Sequence, residues 1–327
     1  MPLFFADFED GNFTLLFVTP EAVATNETLQ NRVKKLVEKK QLSLVCIDEV
    51  HCLSTWGKSF RRSYRQLGTL QSMVPANVPW LLLSATITPK IRDDILSVLS
   101  LKPEFIYASP DRPNIFLHFS NASVVSQTLN WLIDELLAKK ERTSKTLVYG
   151  KTINTCTKIF LALHCALSLD VQKMKLISQF YADDEEEDKM ILLNKFKSPS
   201  SSVRVLVTTK AFGMGIQIDD VINVIHWGPS SDVLSYWQEV GRCGRGCKPG
   251  NAYLYSAPRS ALACNTSEDM RNMVKELKKG NKCFRTLILN SFVLPTQLVY
   301  AKPPCNKKKT LRRVHMCSVQ LLFNLQG

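Results

Sequence analysis

The chemistry that the first half of this chain could perform centres on two adjacent carboxylates. The apolar run LSLVCI feeds directly into Asp48-Glu49-Val50-His51. In open α/β sheets, ligands sit outside the carboxyl ends of the strands. Two acids there suit nucleotide hydrolysis. One can hold the Mg²⁺ that bridges nucleotide phosphates, and the other can position or activate the attacking water. The next residues, HCLSTWGKSFRRSYR (51–65), put a histidine, Trp56, Phe60, Arg61 and Arg62 in one loop. Aromatic rings stack on bases and arginines pair with phosphates, so this loop has the makings of a nucleic-acid contact. In the second half, Gln238-Glu239-Val240-Gly241-Arg242-Cys243-Gly244-Arg245 sets two arginines three residues apart in a glycine-rich stretch.

The elements that must position these groups are legible as short apolar runs. TLLFVTPE (14–21), LSLVCIDE, WLLLSAT (80–86), KTLVYGKT (145–152), VRVLVTT (203–209) and VINVIHW (221–227) are too short for helices and lack alternation. Buried parallel strands have this character. Helix-like segments lie between them at 26–40, 89–99, 126–140, 153–167 and 185–197, which predicts an α/β fold with parallel sheets. The acidic run DDEEED (183–188) reads as a helix start, where the dipole favours negative charge. SPDRPNIF (109–116) interrupts the rhythm and reads as a linker. It separates a first domain, about 1–115, from a second, about 119–258. A basic segment, 259–327, follows, expected to be short and partly helical.

Composition limits the function classes. The chain has 327 residues, enough for two ordinary domains, with 45% hydrophobic and 22% charged residues. No run approaches the ~20 apolar residues that span a bilayer. MPLFFADFED carries no Lys or Arg, against a secretory or mitochondrial leader, and predicts an intracellular protein. Ten scattered cysteines read as buried free thiols. Net charge is +13, and residues 271–313 hold twelve Lys or Arg against one acid, Glu276. That segment suits either contact with a polyanion or a solvated tail.

Taken together, these motifs resemble the RecQ family of ATP-dependent DNA helicases, in family order from about residue 14 to about residue 258. DEVH with its aromatic loop matches at Trp56, Gly57, Phe60 and Arg61. Ser84-Ala85-Thr86 resembles the element that links hydrolysis to domain movement. FVTPE (17–21) resembles an element along the DNA path. TTKAFGMGIQIDDVINVIHWGPSSDVLSYWQEVGRCGRGCKPG (208–250) resembles motifs V and VI. The resemblance implies two RecA-like domains, 3′-to-5′ unwinding of DNA, ATP and Mg²⁺ as cofactors, and work in repair or recombination. It implies Asp48, Glu49 and Arg245 as catalytic, with Arg245 the arginine finger and Arg242 its neighbour on the phosphates. His51, Gly215, Gln238 and Arg242 would contact ATP. Thr19, Pro20, Glu21, Trp56, Phe60, Arg61, Thr208 and Lys210 would contact single-stranded or forked DNA. Nuclear residence follows from that function and from the basic run at 307–309.

The match departs from the family at several points. No G-x-x-x-x-G-K-[ST] phosphate loop is present: Gly57-Lys58-Ser59 has Cys52 where the first glycine belongs, and Gly150-Lys151-Thr152 has Lys145 there. The first domain is therefore expected to be incomplete. Two readings follow, a piece of a working helicase or an inactive truncated motor that binds single-stranded DNA or a partner. Either way, this chain as written is expected to show no DNA-stimulated ATPase. Gln217 stands in place of an aspartate, Cys243 in place of an alanine, and Gly246-Cys247 in place of Asp-Gly. Cys283 and Cys305 sit where the family begins a zinc site, but no CxxC pair follows. Zinc is therefore not expected.

Overall fold

The structure is a computed structural model that describes residues 14–55, 67–106, 108–210, 218–256, 266–292 and, in backbone only, 320–324. The chain forms two compact units that divide at Pro110 and Asp111. The break falls inside the proline-containing segment. That segment is shorter than its sequence suggests, because a strand already begins at Ile115.

In the first unit, helices α1 (Pro20–Thr25) and α2 (Glu27–Glu38) precede strand β1 (Val45–Ile47). Thr19 caps α1 by accepting from the Ala22 N–H, Pro20 starts the helix, and Asn26 caps α2 by accepting from the Leu29 N–H. These are residue types that satisfy the orphan amides of a first turn. A short turn of helix, α3 (Cys52–Thr55), follows, then α4 (Gly68–Met73), β2 (Trp80–Ser84), α5 (Pro89–Leu99) and β3 (Glu104–Ile106). β1 and β2 pair in parallel. Strand β10 (Gln320–Asn324) lies antiparallel between β2 and β3. Sequence reading did not anticipate a strand there.

One expected strand is absent. The run at 14–19 has no ladder partner among the described residues, and Leu15, Phe17 and Val18 are exposed. Apolar composition favours a strand only where a neighbour offers backbone partners.

The second unit carries a fully parallel six-stranded sheet in the order β4-β9-β8-β5-β7-β6. Its elements in chain order are β4 (Ile115–Asn121), α6 (Val125–Thr128), α7 (Asn130–Lys139), β5 (Lys145–Gly150), α8 (Ile153–Cys165), α9 (Leu169–Lys173) and β6 (Ile177–Phe180). Then come α10 (Glu186–Lys197), β7 (Val205–Thr208), β8 (Val221–Trp227), α11 (Val233–Val240) and β9 (Gly250–Ser256). Helices α12 (Glu268–Lys279) and α13 (Phe284–Asn290) follow. The core packs Leu132, Leu136, Ile159 and Leu163 against Val148, Val205, Val207 and Ile225 of the sheet. The acidic run does open α10, with Glu186, Glu187 and Asp188 in its first turn.

Candidate functional site

Asp48 and Glu49 sit just past the carboxyl end of β1, as their sequence context requires. The Glu49 N–H donates to Asp48 Oδ1 at 2.8 Å, and Glu49 adopts a left-handed φ of 49°. Such a φ is uncommon for a residue with a Cβ and marks a constrained turn. Asp48 is exposed, a hard oxygen donor at a strand end. That fits one protein ligand of a magnesium ion that keeps waters and phosphate oxygens as its other ligands.

His51 is buried beneath this turn. Its Nδ1 lies 3.0 Å from Ser84 Oγ and 3.2 Å from Glu49 Oε2. The Ser84 hydroxyl proton is committed to the Thr86 carbonyl at 2.9 Å, so Ser84 Oγ accepts from His51. The proton of neutral His51 therefore belongs on Nδ1. This leaves Nε2 as the acceptor facing Cys52 Sγ at 3.8 Å. The Thr86 N–H also donates to Ser84 Oγ at 3.3 Å. The acidic turn after β1 and the Ser84-Ala85-Thr86 turn after β2 are thus joined through buried polar groups.

In the second unit, α11 starts at an Asp232 cap that accepts from the Ser235 N–H at 2.7 Å. Val233, Leu234, Tyr236, Trp237 and Val240 face inward, which leaves Gln238 half-buried at the end of the helix. The chain then turns through Gly241, Gly244 at φ 65° and Gly246 at φ 63°. Arg242 and Arg245 are both half-buried on this turn. Burial, followed by the neighbouring charges of Arg242 and Arg112, holds the Arg245 guanidinium below its ordinary pKa. Arg242 also hydrogen-bonds the Tyr149 side chain at the end of β5. A cluster of like charges with little water is a receptor for a dense anion such as polyphosphate. Cys243 is fully buried beneath the turn and donates to the Val240 carbonyl, its thiol pushed up by burial to about 12. A small, inert thiol therefore fills the space that an alanine would leave.

Of the expected nucleic-acid residues, Thr208, Lys210, Thr19, Pro20 and Glu21 are described. Thr208 is buried, and its hydroxyl donates to the Phe180 and Thr209 carbonyls at 2.8 and 3.0 Å. Lys210, two residues on, is exposed, as is Thr19, while Pro20 and Glu21 are half-buried at the start of α1. Trp56, Phe60, Arg61, Gly215, Gln217 and Cys305 lie outside the described residues. Cys283 is the N-cap of α13. No group of three or more metal-ligating side chains occurs among the described residues.

Sequence reasoning missed the buried support of the arginine turn. His226 Nε2 lies 2.9 Å from Glu239 Oε2, which also accepts from Ser230 Oγ at 2.5 Å. The His226 ring stacks on Tyr149 with centroids 5.1 Å apart. These groups tie the end of β8 to the last turn of α11, directly beside Gln238. The only available signal was a histidine inside an apolar strand, thirteen residues before a glutamate.

Comparison with known proteins places these features in context. The DEAD/DEAH box helicase family matches residues 6–95, and the helicase conserved C-terminal domain family matches residues 127–247. The bifunctional 3'-5' exonuclease/ATP-dependent helicase WRN of Mus musculus is 29% identical over 88% of this chain and 21% of its own length. The ATP-dependent DNA helicase Q1 of Pongo abelii is 28% identical over 91% of this chain and 45% of its own length. The chain therefore spans less than half the length of these relatives. Among solved structures, Mss116p bound to single-stranded RNA and AMP-PNP superposes with a TM-score of 0.53 at 17% identity, covering 76% of this chain and 50% of that one. Dbp5 of S. cerevisiae bound to RNA and ADP BeF3 gives 0.52 at 15%, covering 76% and 61%. Both likenesses bear on the fold, which is that of RecA-like helicase domains.

Proposed function

We propose, on the premise that this chain belongs to the RecQ-like superfamily 2 helicases, that it forms most of a motor coupling ATP hydrolysis to 3′-to-5′ unwinding of DNA. The observation that carries this reading is the buried link from the acidic turn to Ser84. It gives a path by which a change at the nucleotide phosphates reaches the element after β2. In this reading Glu49 orients the attacking water, Asp48 holds the cation, and Gln238, Arg242 and Arg245 contact the phosphates. Magnesium, when bound with ATP, supplies neutralisation of charge on the transferring phosphoryl group. Arg245 stabilises the same developing charge from the protein side, a contribution worth about 10³–10⁵ in rate where such fingers are used.

Single-stranded and forked DNA are the proposed substrates. The aromatic loop at 51–65 would supply stacking surfaces, and Lys210 and the start of α1 backbone contacts. The Pongo abelii relative is by name an ATP-dependent DNA helicase, which favours DNA over RNA. Nuclear residence goes with the proposed role in repair or recombination.

DNA-stimulated ATP hydrolysis tests the reading. The 327-residue chain, which contains no phosphate-loop sequence, is expected to be inactive alone. A form of the motor that carries a phosphate loop is expected to hydrolyse ATP, and Glu49→Gln to abolish it. Hydrolysis that survives Glu49→Gln would remove the basis for the assignment.

A further inference from the structure

The segment that begins the second unit does more than join two domains. Arg112 Nη2 donates to the Gly244 carbonyl at 2.8 Å. Asn114 Nδ2 donates to the same carbonyl at 2.7 Å and to the Lys248 carbonyl at 2.6 Å. The Gly250 N–H returns a bond to the Asn114 carbonyl at 3.0 Å. Both ends of the arginine-bearing turn are therefore held by a strap of chain, residues 111–115. The strap is itself anchored from behind. Arg285 of α13, buried, donates to Asp111 Oδ1, to the Arg112 carbonyl at 3.0 Å and to the Ile115 carbonyl.

Two further facts show that this fit is specific. Gly244 has a φ of 65°, and a Cβ added there would lie 2.7 Å from Asn114 Nδ2. Glycine is thus required both by its backbone and by the close approach of the asparagine. Arg112 also lies close enough to Arg245 to add, with Arg242, to the positive charge around it. Like charges on neighbouring guanidiniums repel, with Asp219 opposing them in part, so fixed backbone contacts help to hold the turn in one arrangement.

We propose that Arg112 and Asn114 are positioning residues that set the Gly244 turn and so aim Arg242 and Arg245. This rests on the reading of those two arginines as phosphate-binding groups. Asp111 follows directly on Pro110, where the first unit ends, so the chain that connects the units is the same chain that fixes the arginine turn. A preorganised turn spends no binding energy on ordering the arginines when charge develops on the phosphate.

Two measurements test the proposal. The first is amide hydrogen exchange of the full chain. Asn114→Asp keeps size but turns a carboxylate toward two carbonyl oxygens. It should speed exchange at 244–250 by about tenfold, the effect of losing one to two net hydrogen bonds, with core amides of α8 unchanged as the folding control. The second is steady-state ATPase in a motor that carries a phosphate loop. There Arg112→Met and Asn114→Asp should lower kcat about tenfold or more with little change in KM, and Arg112→Lys should recover part of the loss. Unchanged exchange at 244–250 overturns the strap. Faster exchange with kcat within twofold of the parent overturns the positioning role. If Arg245→Ala leaves ATPase intact, the reading of the arginines fails, and the aiming role falls with it, whatever exchange shows.

Discussion

Replacing Ser84 with alanine isolates the link between the two turns of the first unit. The substitution removes one oxygen and leaves backbone and volume almost unchanged. Three contacts go with it: His51 Nδ1 at 3.0 Å, the Thr86 carbonyl at 2.9 Å and the Thr86 N–H at 3.3 Å. A hydrogen bond contributes a net 0.5–1.5 kcal/mol, roughly, and more when a buried group loses its partner. The third contact is long and weak, and His51 keeps Glu49 Oε2 at 3.2 Å as a fallback. The expected cost is therefore about 2 kcal/mol, from the lower half of that range. Ser84 is 2% exposed, so water does not replace the lost partners in the folded state. Exchange of the Leu81–Leu83 amides in β2 reports on this unit alone. It should accelerate roughly thirtyfold, the equivalent of about 2 kcal/mol. In a motor carrying a phosphate loop, ATP hydrolysis should persist while base pairs unwound per ATP fall several-fold. Exchange within twofold of the parent, with unwinding and hydrolysis still matched, would refute the claim that Ser84 joins the turns.

Other features of the second unit make equally specific predictions. Lys145 is 1% exposed at its side chain and pairs with Asp220 Oδ2 at 2.7 Å, with the Lys197 and Ser198 carbonyls at 3.3 and 3.2 Å. Asp220→Ala leaves that buried cation with the two carbonyls and the Phe196 ring, whose centroid is 5.5 Å from Nζ, but Asp220 itself is 41% exposed. Solvent screening therefore trims the loss to about 1–2 kcal/mol, below the 3–5 of a fully buried pair, measurable by guanidinium unfolding. The buried Cys243 thiol, raised to about 12, stays neutral in the fold while an unfolded thiol ionises near 9. Its contribution is complete below about pH 9 and is lost as pH rises toward 12, so stability should fall across that window and less steeply in Cys243→Ala. Iodoacetamide at pH 8 should label exposed Cys247 and Cys165 while sparing Cys243 and Cys156 in the native protein.

What the sequence disclosed depended on whether a residue's job was local. The parallel strands at β1, β2, β5, β7 and β8 were legible because strands with neighbours on both faces must be continuously apolar. β6 (ISQF) was missed because, among the described residues, it lies at the sheet edge beside β7, and such a strand can carry polar residues. β4 was missed because IFLHFSN follows two prolines and reads as the linker's tail. It is a strand because β9 pairs with it over all seven residues. Conversely, the run at 14–19 had the right composition and no partner among the described residues. The arginine turn was visible in its glycines, since spacing fixes it within eight residues. Its supports were not: His226 meets Glu239 across thirteen residues and Arg112 meets Gly244 across 132. Contacts at such separations leave no periodic trace.

The decoy Gly150-Lys151-Thr152 shows why a motif needs its geometry. It follows strand β5 and precedes helix α8, the arrangement of a phosphate loop. Yet each residue already has another role. Gly150 is packed so that an added Cβ would lie 2.5 Å from Cys156 Sγ, against the first turns of α8. Lys151 Nζ donates to Thr266 Oγ1 at 2.7 Å, toward the segment before α12. Thr152 accepts from the Thr155 N–H at 3.1 Å as the cap of α8, so its hydroxyl oxygen is engaged by the helix. A phosphate cradle needs several consecutive N–H groups opened around an anion by intervening glycines. Here the strand passes into the helix cap within two residues, and no such concavity can form. The glycine, lysine and threonine that would bind a nucleotide elsewhere instead close the strand, tether a neighbouring segment and start a helix.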